Sequence, residues 1–193
     1  MLILALSGSL RAGSFNTALL HAAGGLLPPA ARLELIDGLA AIPPYNEDND
    51  VDPAPAPVAL LRNQLAAADA LIIATPEYNG SIPGQLKNAL DWASRPYPGN
   101  ALRGTPVAVI GSSTGLFGAV WAQAELRKVL ATTGGAVLDH ELTVPDAPGA
   151  FDAHLRLTDP GITQALREVM YALVTAVERL RPTDLTCQAP ANP

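Results

Sequence analysis

The chain has 193 residues, 49% of them hydrophobic and 16% charged, with a net charge of −6. That length suits one domain with a sizeable core, and the composition excludes a disordered chain. The negative balance argues against a broad nucleic-acid footprint, and the single cysteine, Cys187, excludes an internal disulfide or a cysteine zinc cluster.

Taken in chain order, residues 2–7 read as a buried first strand. They are apolar but too short for a targeting segment and run directly into a glycine turn. Residues 16–27 follow as a helix, with Ser14 as its cap and Gly24-Gly25 as its end. A second strand is expected at 32–36. Residues 37–57, with five prolines and an acidic cluster, read as a long loop of the kind that often carries function. Helix 58–68, strand 70–75, helix 83–94, strand 106–112, helix 117–133, strand 136–138 and helix 161–180 complete the order. Most of the strands are continuous apolar runs, as expected of strands buried on both faces. Five β-α units predict an α/β fold: a flavodoxin-like three-layer sandwich with a parallel sheet in the order 2-1-3-4-5. The expected domain spans 1–181, and 182–193 reads as a frayed tail. No apolar stretch approaches the ~20 residues of a membrane span, and a thiol-poor chain without a leader suits the reducing cytoplasm.

Three loops follow strand ends, where open α/β sheets bind ligands. The first, residues 7–16, places Ser9, Arg11, Ser14 and Asn16 at a helix start. Free N–H groups, hydroxyls and a guanidinium there suit a phosphate; an ordinary capped helix would use the same serine. Neither G-x-G-x-x-G nor a Walker A pattern is present. The second loop, Thr75-Pro76-Glu77-Tyr78-Asn79-Gly80-Ser81, combines a strand stop at Pro76, an aromatic side chain and an Asn-Gly turn signal. Beyond it Leu86, Leu90 and Ala93 share one helical face, and Lys87 and Asp91 form an i, i+4 pair. The third loop, Gly111-Ser112-Ser113-Thr114-Gly115, matches G-x-S-x-G, the nucleophile elbow of α/β-hydrolases. A serine esterase would use Ser113, with a carboxylate among Asp139, Asp146 and Asp152 and a histidine from His140 or His154. Against it, only one clear strand follows and no HGGG-type loop is visible. The histidines His21, His140 and His154 lack metal-ligand spacing, so no metal site is expected.

The spacing Gly8-Ser9-x-Arg11-x-x-Ser14-x-Asn16 and the stretch from Thr75 to Trp92 resemble the phosphate loop and the flavin-binding signature of the NADPH-dependent FMN reductase family. This flavodoxin-like group includes quinone, chromate and azo-dye reductases. The resemblance covers most of residues 1–180. In the third loop the family usually ends in Gly-Gly, where this chain has Gly118-Ala119. The resemblance implies FMN as cofactor and NADPH or NADH as donor. It also implies ping-pong hydride transfer to a quinone, flavin, azo dye or metal oxyanion, and a homodimer or homotetramer. The implied cofactor-binding set is Ser9, Arg11, Ser14, Asn16, Pro76, Glu77, Tyr78, Asn79, Gly80, Ser112, Ser113 and Gly115, with no catalytic acid or nucleophile. In this pose Tyr78 packs near the ring, and backbone groups of Glu77, Asn79 and Gly80 meet its polar edge. Tyr45, in the long loop, can border the flavin of its own or a neighbouring subunit. The rival within the same fold is a flavodoxin-like electron carrier, which holds FMN but does not oxidise NAD(P)H.

Overall fold

A computed structural model describes residues 1–180; the expected tail lies outside the described residues. Five parallel strands form one sheet: β1 (Leu2–Ser7), β2 (Arg32–Leu35), β3 (Ala70–Thr75), β4 (Pro106–Ser112) and β5 (Ala136–Val144). Their order is β2-β1-β3-β4-β5, as the alternation of elements predicts. Six helices connect and flank them: α1 (Phe15–Gly24), α2 (Ala56–Ala67), α3 (Gly84–Ala93), α4 (Val120–Thr132), the single turn α5 (Ala147–Ala150) and α6 (Pro160–Leu180).

The period-2 alternation of strand side chains divides the core into two layers. Leu4, Leu6, Leu71, Ile73, Val107 and Val109 point toward α2, α3 and α4. Ile3, Ala5, Ile72, Ala74, Ala108 and Ile110 point toward α1 and α6. All residues of β3 and β4 are buried, which is why their bounds follow the apolar runs so closely. Among the described residues no helix is long and apolar enough to cross a membrane.

The fifth strand departs from expectation. It runs on to Val144 through the polar residues Asp139, His140 and Glu141. As an edge strand it tolerates an exposed polar stretch, and its register slips where Val107 faces Val137 but Val109 faces Glu141. Arg127 of α4 fills that irregularity. Its guanidinium donates to the carbonyls of Leu138, Val109 and His140. Burial lowers the pKa of Arg127, and Glu141 opposes the shift.

The long loop at 37–57 is docked along its length. It contains two short 3₁₀ turns, Leu39–Ala41 and Glu47–Asn49. Gln85, Asn88 and Trp92, at i, i+3 and i+7 of α3, hold it by its backbone. Gln85 Nε2 donates to the carbonyls of Leu39 (2.6 Å) and Ile42 (2.9 Å). Asn88 accepts from the Tyr45 N–H (2.7 Å) and donates to the Pro43 carbonyl, which Trp92 Nε1 also reaches. On the opposite face Leu86, Leu90 and Ala93 are buried, and Lys87 meets Asp91 at 2.6 Å. The tail of the 75–92 motif therefore fastens the loop with one face and the core with the other.

Candidate functional site

Strand register brings the three loops together. Ser7 is level with Ala74, Thr75 with Gly111, and Ser112 with Val144. All three loops therefore leave the carboxyl edge of the sheet beside one another, around β1 and β3, where the strand order reverses.

The first loop turns tightly. The Gly8 N–H donates to the Ala74 carbonyl at 2.8 Å. A Cβ at Gly8 would lie 2.9 Å from Leu86 Cδ2 and 3.3 Å from Pro76 Cδ, so glycine lets the first loop approach the second. Ser14 caps α1 as expected, its hydroxyl accepting from the Thr17 N–H at 3.3 Å. The N–H groups of Phe15 and Asn16, in the first turn, have no intrahelical acceptor. Arg11 is exposed and donates to the Gly13 carbonyl at 2.5 Å. Asn16 is buried and makes a reciprocal pair with the Ser112 backbone, donating at 3.0 Å and accepting at 2.9 Å. It ties the start of α1 to the end of β4.

In the second loop Tyr78 and Ser81 exchange two backbone hydrogen bonds, at 3.0 and 3.1 Å. Asn79 (φ 56°) and Gly80 (φ 74°) form the tip of this two-residue hairpin, the conformation an Asn-Gly pair favours. The Glu77 side chain turns to the start of α4 and accepts from the N–H groups of Trp121 and Ala122, both at 3.0 Å.

In the third loop the Ser113 N–H donates to the Val144 carbonyl, and Ser113 Oγ accepts from the Gly115 N–H at 3.0 Å. His140 and His154 are exposed, and among the described residues no hydrogen bond joins either side chain to Ser113, so neither histidine is paired with that hydroxyl as a hydrolase triad pairs them. Gly118 (φ 56°) is packed so closely that a Cβ would sit 2.7 Å from the Val144 nitrogen. Ala119, where the family usually has glycine, also adopts a left-handed conformation (φ 64°). Its methyl is buried in the core.

The loops enclose a cleft of about 140 Å³. Ser9, Arg11, Ser14, Asn16, Pro76, Glu77, Tyr78, Ser112 and Ser113 line it, together with Phe15 and Thr114, which the sequence reading did not single out. Asn79 and Gly80 stand at the hairpin tip and Gly115 beyond the turn, outside this lining. Tyr45 does not line it either; it packs edge-on against Trp92 with ring centroids 4.9 Å apart. Its hydroxyl accepts from Arg95, and that bond raises the arginine's pKa. A larger groove of about 660 Å³ lies between β5 and α6, along a helix rather than at the strand ends.

The cleft fits a phosphorylated flavin. Its donors are hydroxyls, free first-turn amides and one guanidinium, with no acidic side chain on the phosphate side. Ser112 Oγ is buried there without a hydrogen-bond partner among the described residues, an unmet donor of the kind a ligand satisfies. The volume is below the roughly 300–1,000 Å³ of an enclosed ligand pocket, which suits a phosphate and its linker more than a buried ring system.

Comparison with known proteins decides the family. Residues 1–149 match the model of the NADPH-dependent FMN reductase family. The chain belongs to this family. It is 46% identical over 180 residues to an NAD(P)H-dependent FMN reductase of Pseudomonas aeruginosa, covering 93% of this chain and 96% of that one. It is 38% identical to an NADPH:quinone oxidoreductase of Arabidopsis thaliana, with 93% of each chain covered. Among solved structures it resembles FerB, a flavoenzyme NAD(P)H:(acceptor) oxidoreductase of Paracoccus denitrificans, with a TM-score of 0.83 and 35% identity. That match covers 92% of this chain and 97% of FerB. Members of the family are enzymes that work with FMN and a nicotinamide donor. The expected fold, cofactors and enzyme class therefore hold for this chain.

Proposed function

We propose that the protein is a ping-pong reductase that passes electrons from NAD(P)H through FMN to a small-molecule acceptor, a quinone in the first instance. The observation that carries the site assignment is the convergence of three loops on one cleft whose buried Ser112 hydroxyl has no partner among the described residues. Quinone is favoured because a full-length relative is named for it; free flavin, azo dyes and metal oxyanions are the other acceptors of this class. When bound, FMN supplies the two-electron chemistry between donor and acceptor.

The residues of this chain bind and orient. Ser9, Ser14 and Arg11 hold the phosphate, with the first-turn amides of α1 beside them. Asn16 positions the Ser112 backbone, and Ser112 and Ser113 offer hydroxyls along the linker. Pro76 and Tyr78 form one wall of the ring site. The backbone of Glu77, Asn79, Gly80 and Gly115 borders its polar edge. Ser113 acts as a binding residue and not as a nucleophile, since its hydroxyl is turned to the Gly115 amide. No general acid or covalent nucleophile is required.

One face over the ring then serves donor and acceptor in turn. Double-reciprocal plots at several acceptor concentrations are expected to be parallel; converging lines would require a second site. Anaerobic NADPH is expected to bleach the yellow protein, and a yellow protein that NADPH leaves unbleached would be an electron carrier instead.

The working form is proposed to be a homodimer or homotetramer in the cytoplasm. Leu116, Phe117 and Trp121, exposed at 83%, 60% and 52%, are apolar surface beside the site that a second copy can cover. Light scattering at micromolar concentration is expected to give at least twice the 20.0 kDa chain mass; a value of one chain mass would reject the oligomer.

A further inference from the structure

The Glu77 carboxylate lies in the second loop of the cleft, yet it is spent elsewhere, on the N-terminus of α4. We infer that Glu77 is a positioning residue that sets the spacing between the two loops that flank the flavin ring. The inference rests on the flavin-site reading above.

Helix α4 opens without a cap of its own. Its N-cap position is Ala119, which has no side-chain acceptor, and its first turn holds no acidic residue. The missing anion comes from 44 residues away. Glu77 Oε2 accepts from the Trp121 and Ala122 amides at 3.0 Å each. A carboxylate on two amides at a helix N-terminus combines charge-assisted hydrogen bonds with the helix dipole. One turn further along α4, Glu125 accepts from Ser81 Oγ at 2.5 Å. Glu77 precedes the Tyr78–Ser81 hairpin and Ser81 ends it, so both of its feet are fastened to one helix.

The third loop leads directly into that helix. Ser112 and Ser113 are fixed to Asn16 and Val144 at its start, and Gly118 and Ala119 end it in left-handed conformations. The gap between Tyr78 on one side and Ser112–Ser113 on the other is therefore defined through α4, with Glu77 as the connecting strut. Any acidic cap from within the third loop would stabilise α4 equally well, but only a cap from the second loop ties the walls together.

The test separates ring binding from phosphate binding. Glu77→Ala is expected to weaken both FMN and riboflavin, measured by fluorescence quenching on the flavin-free protein, by the same factor of roughly 10–100. Arg11→Ala is expected to weaken FMN alone. Amide exchange at Trp121 and Ala122 is expected to speed up in Glu77→Ala. Glu77→Gln keeps an oxygen acceptor and is expected to restore most of the exchange protection and of the riboflavin affinity. If Glu77→Ala does not fold, Glu77→Asp carries the test: a carboxylate one methylene shorter keeps the charge and is expected to lose ring affinity. Faster exchange with riboflavin and FMN affinities within twofold of wild type would make Glu77 a helix cap only, and would overturn the inference. Unchanged exchange would overturn it as well. Failure of the wild-type protein to bind either flavin would instead sink the flavin-site reading.

Discussion

Replacing Arg11 and Ser14 together by alanine is expected to abolish tight FMN binding while leaving the sheet intact. Arg11 is exposed and, among the described residues, its side chain donates only to the nearby Gly13 carbonyl, so its removal costs the fold little. Each lost phosphate contact is worth about 1–3 kcal/mol, which puts the double variant about 2–6 kcal/mol down if the two add. Ser14 needs care because it also caps α1 through the Thr17 amide, and losing a cap costs about 0.5–2 kcal/mol of stability by itself. Ser14→Asp separates the two roles. Aspartate keeps the cap but sets a negative charge against the phosphate, so a folded helix with no FMN binding is expected. Riboflavin affinity is expected to be unaffected by Arg11→Ala. Calorimetric titration of the flavin-free protein reads all three. A double variant that binds FMN as the wild type does would remove the phosphate from this loop.

Much of this fold is written in runs of Leu, Ile, Val and Ala. β1, β3 and β4 keep the bounds those runs predict, each closing on a hydroxyl residue, Ser7, Thr75 or Ser112, because strands buried on both faces are built from continuous apolar runs. β5 was legible only to Leu138, since its continuation depends on an exposed edge and on Arg127 reaching over from α4. Helix α4 starts at Val120, three residues later than expected, because Gly118 and Ala119 are held left-handed by packing against Val144 and the core. Asp159 starts α6 one residue early by accepting from the Ile162 amide. At the site, the meeting of Ser9, Ser14 and Tyr78 on one cleft was legible because their loops follow strand ends on either side of the switch in strand order. Glu77 gave no hint that its carboxylate serves another helix, and Asn16 none that its amide clamps Ser112. Contacts spanning 44 or 96 residues leave no local pattern. Phe15 and Thr114 were missed because neither side chain is diagnostic; each lines the cleft by its place in the turn.

Truncating Trp92 is expected to cause the largest loss of stability in the chain. Its side chain is fully buried and belongs to the layer between the sheet and α3. Trp→Ala in a core costs about 3–5 kcal/mol, or roughly 6–20 °C in Tm for a chain of this size. The indole does more than fill space. Nε1 donates to the Pro43 carbonyl at 2.8 Å, Tyr45 meets the ring edge-on, and the Arg62 guanidinium lies 5.7 Å from its centroid. Arg62 in turn donates to the Trp92 carbonyl and to Asp50 in the long loop. Trp92→Phe therefore divides the effect. It keeps an aromatic ring in place but leaves the Pro43 carbonyl with Asn88 as its one donor, at an expected cost of about 1–2 kcal/mol. The loop around Pro43 should loosen first, so exchange of the Tyr45 amide is expected to accelerate in Trp92→Phe while β3 amides stay protected. Urea unfolding of the flavin-free protein gives the stability, and exchange gives its location. Wild-type stability and wild-type exchange at Tyr45 in Trp92→Phe would mean that Gln85 and Asn88 hold the loop without the indole.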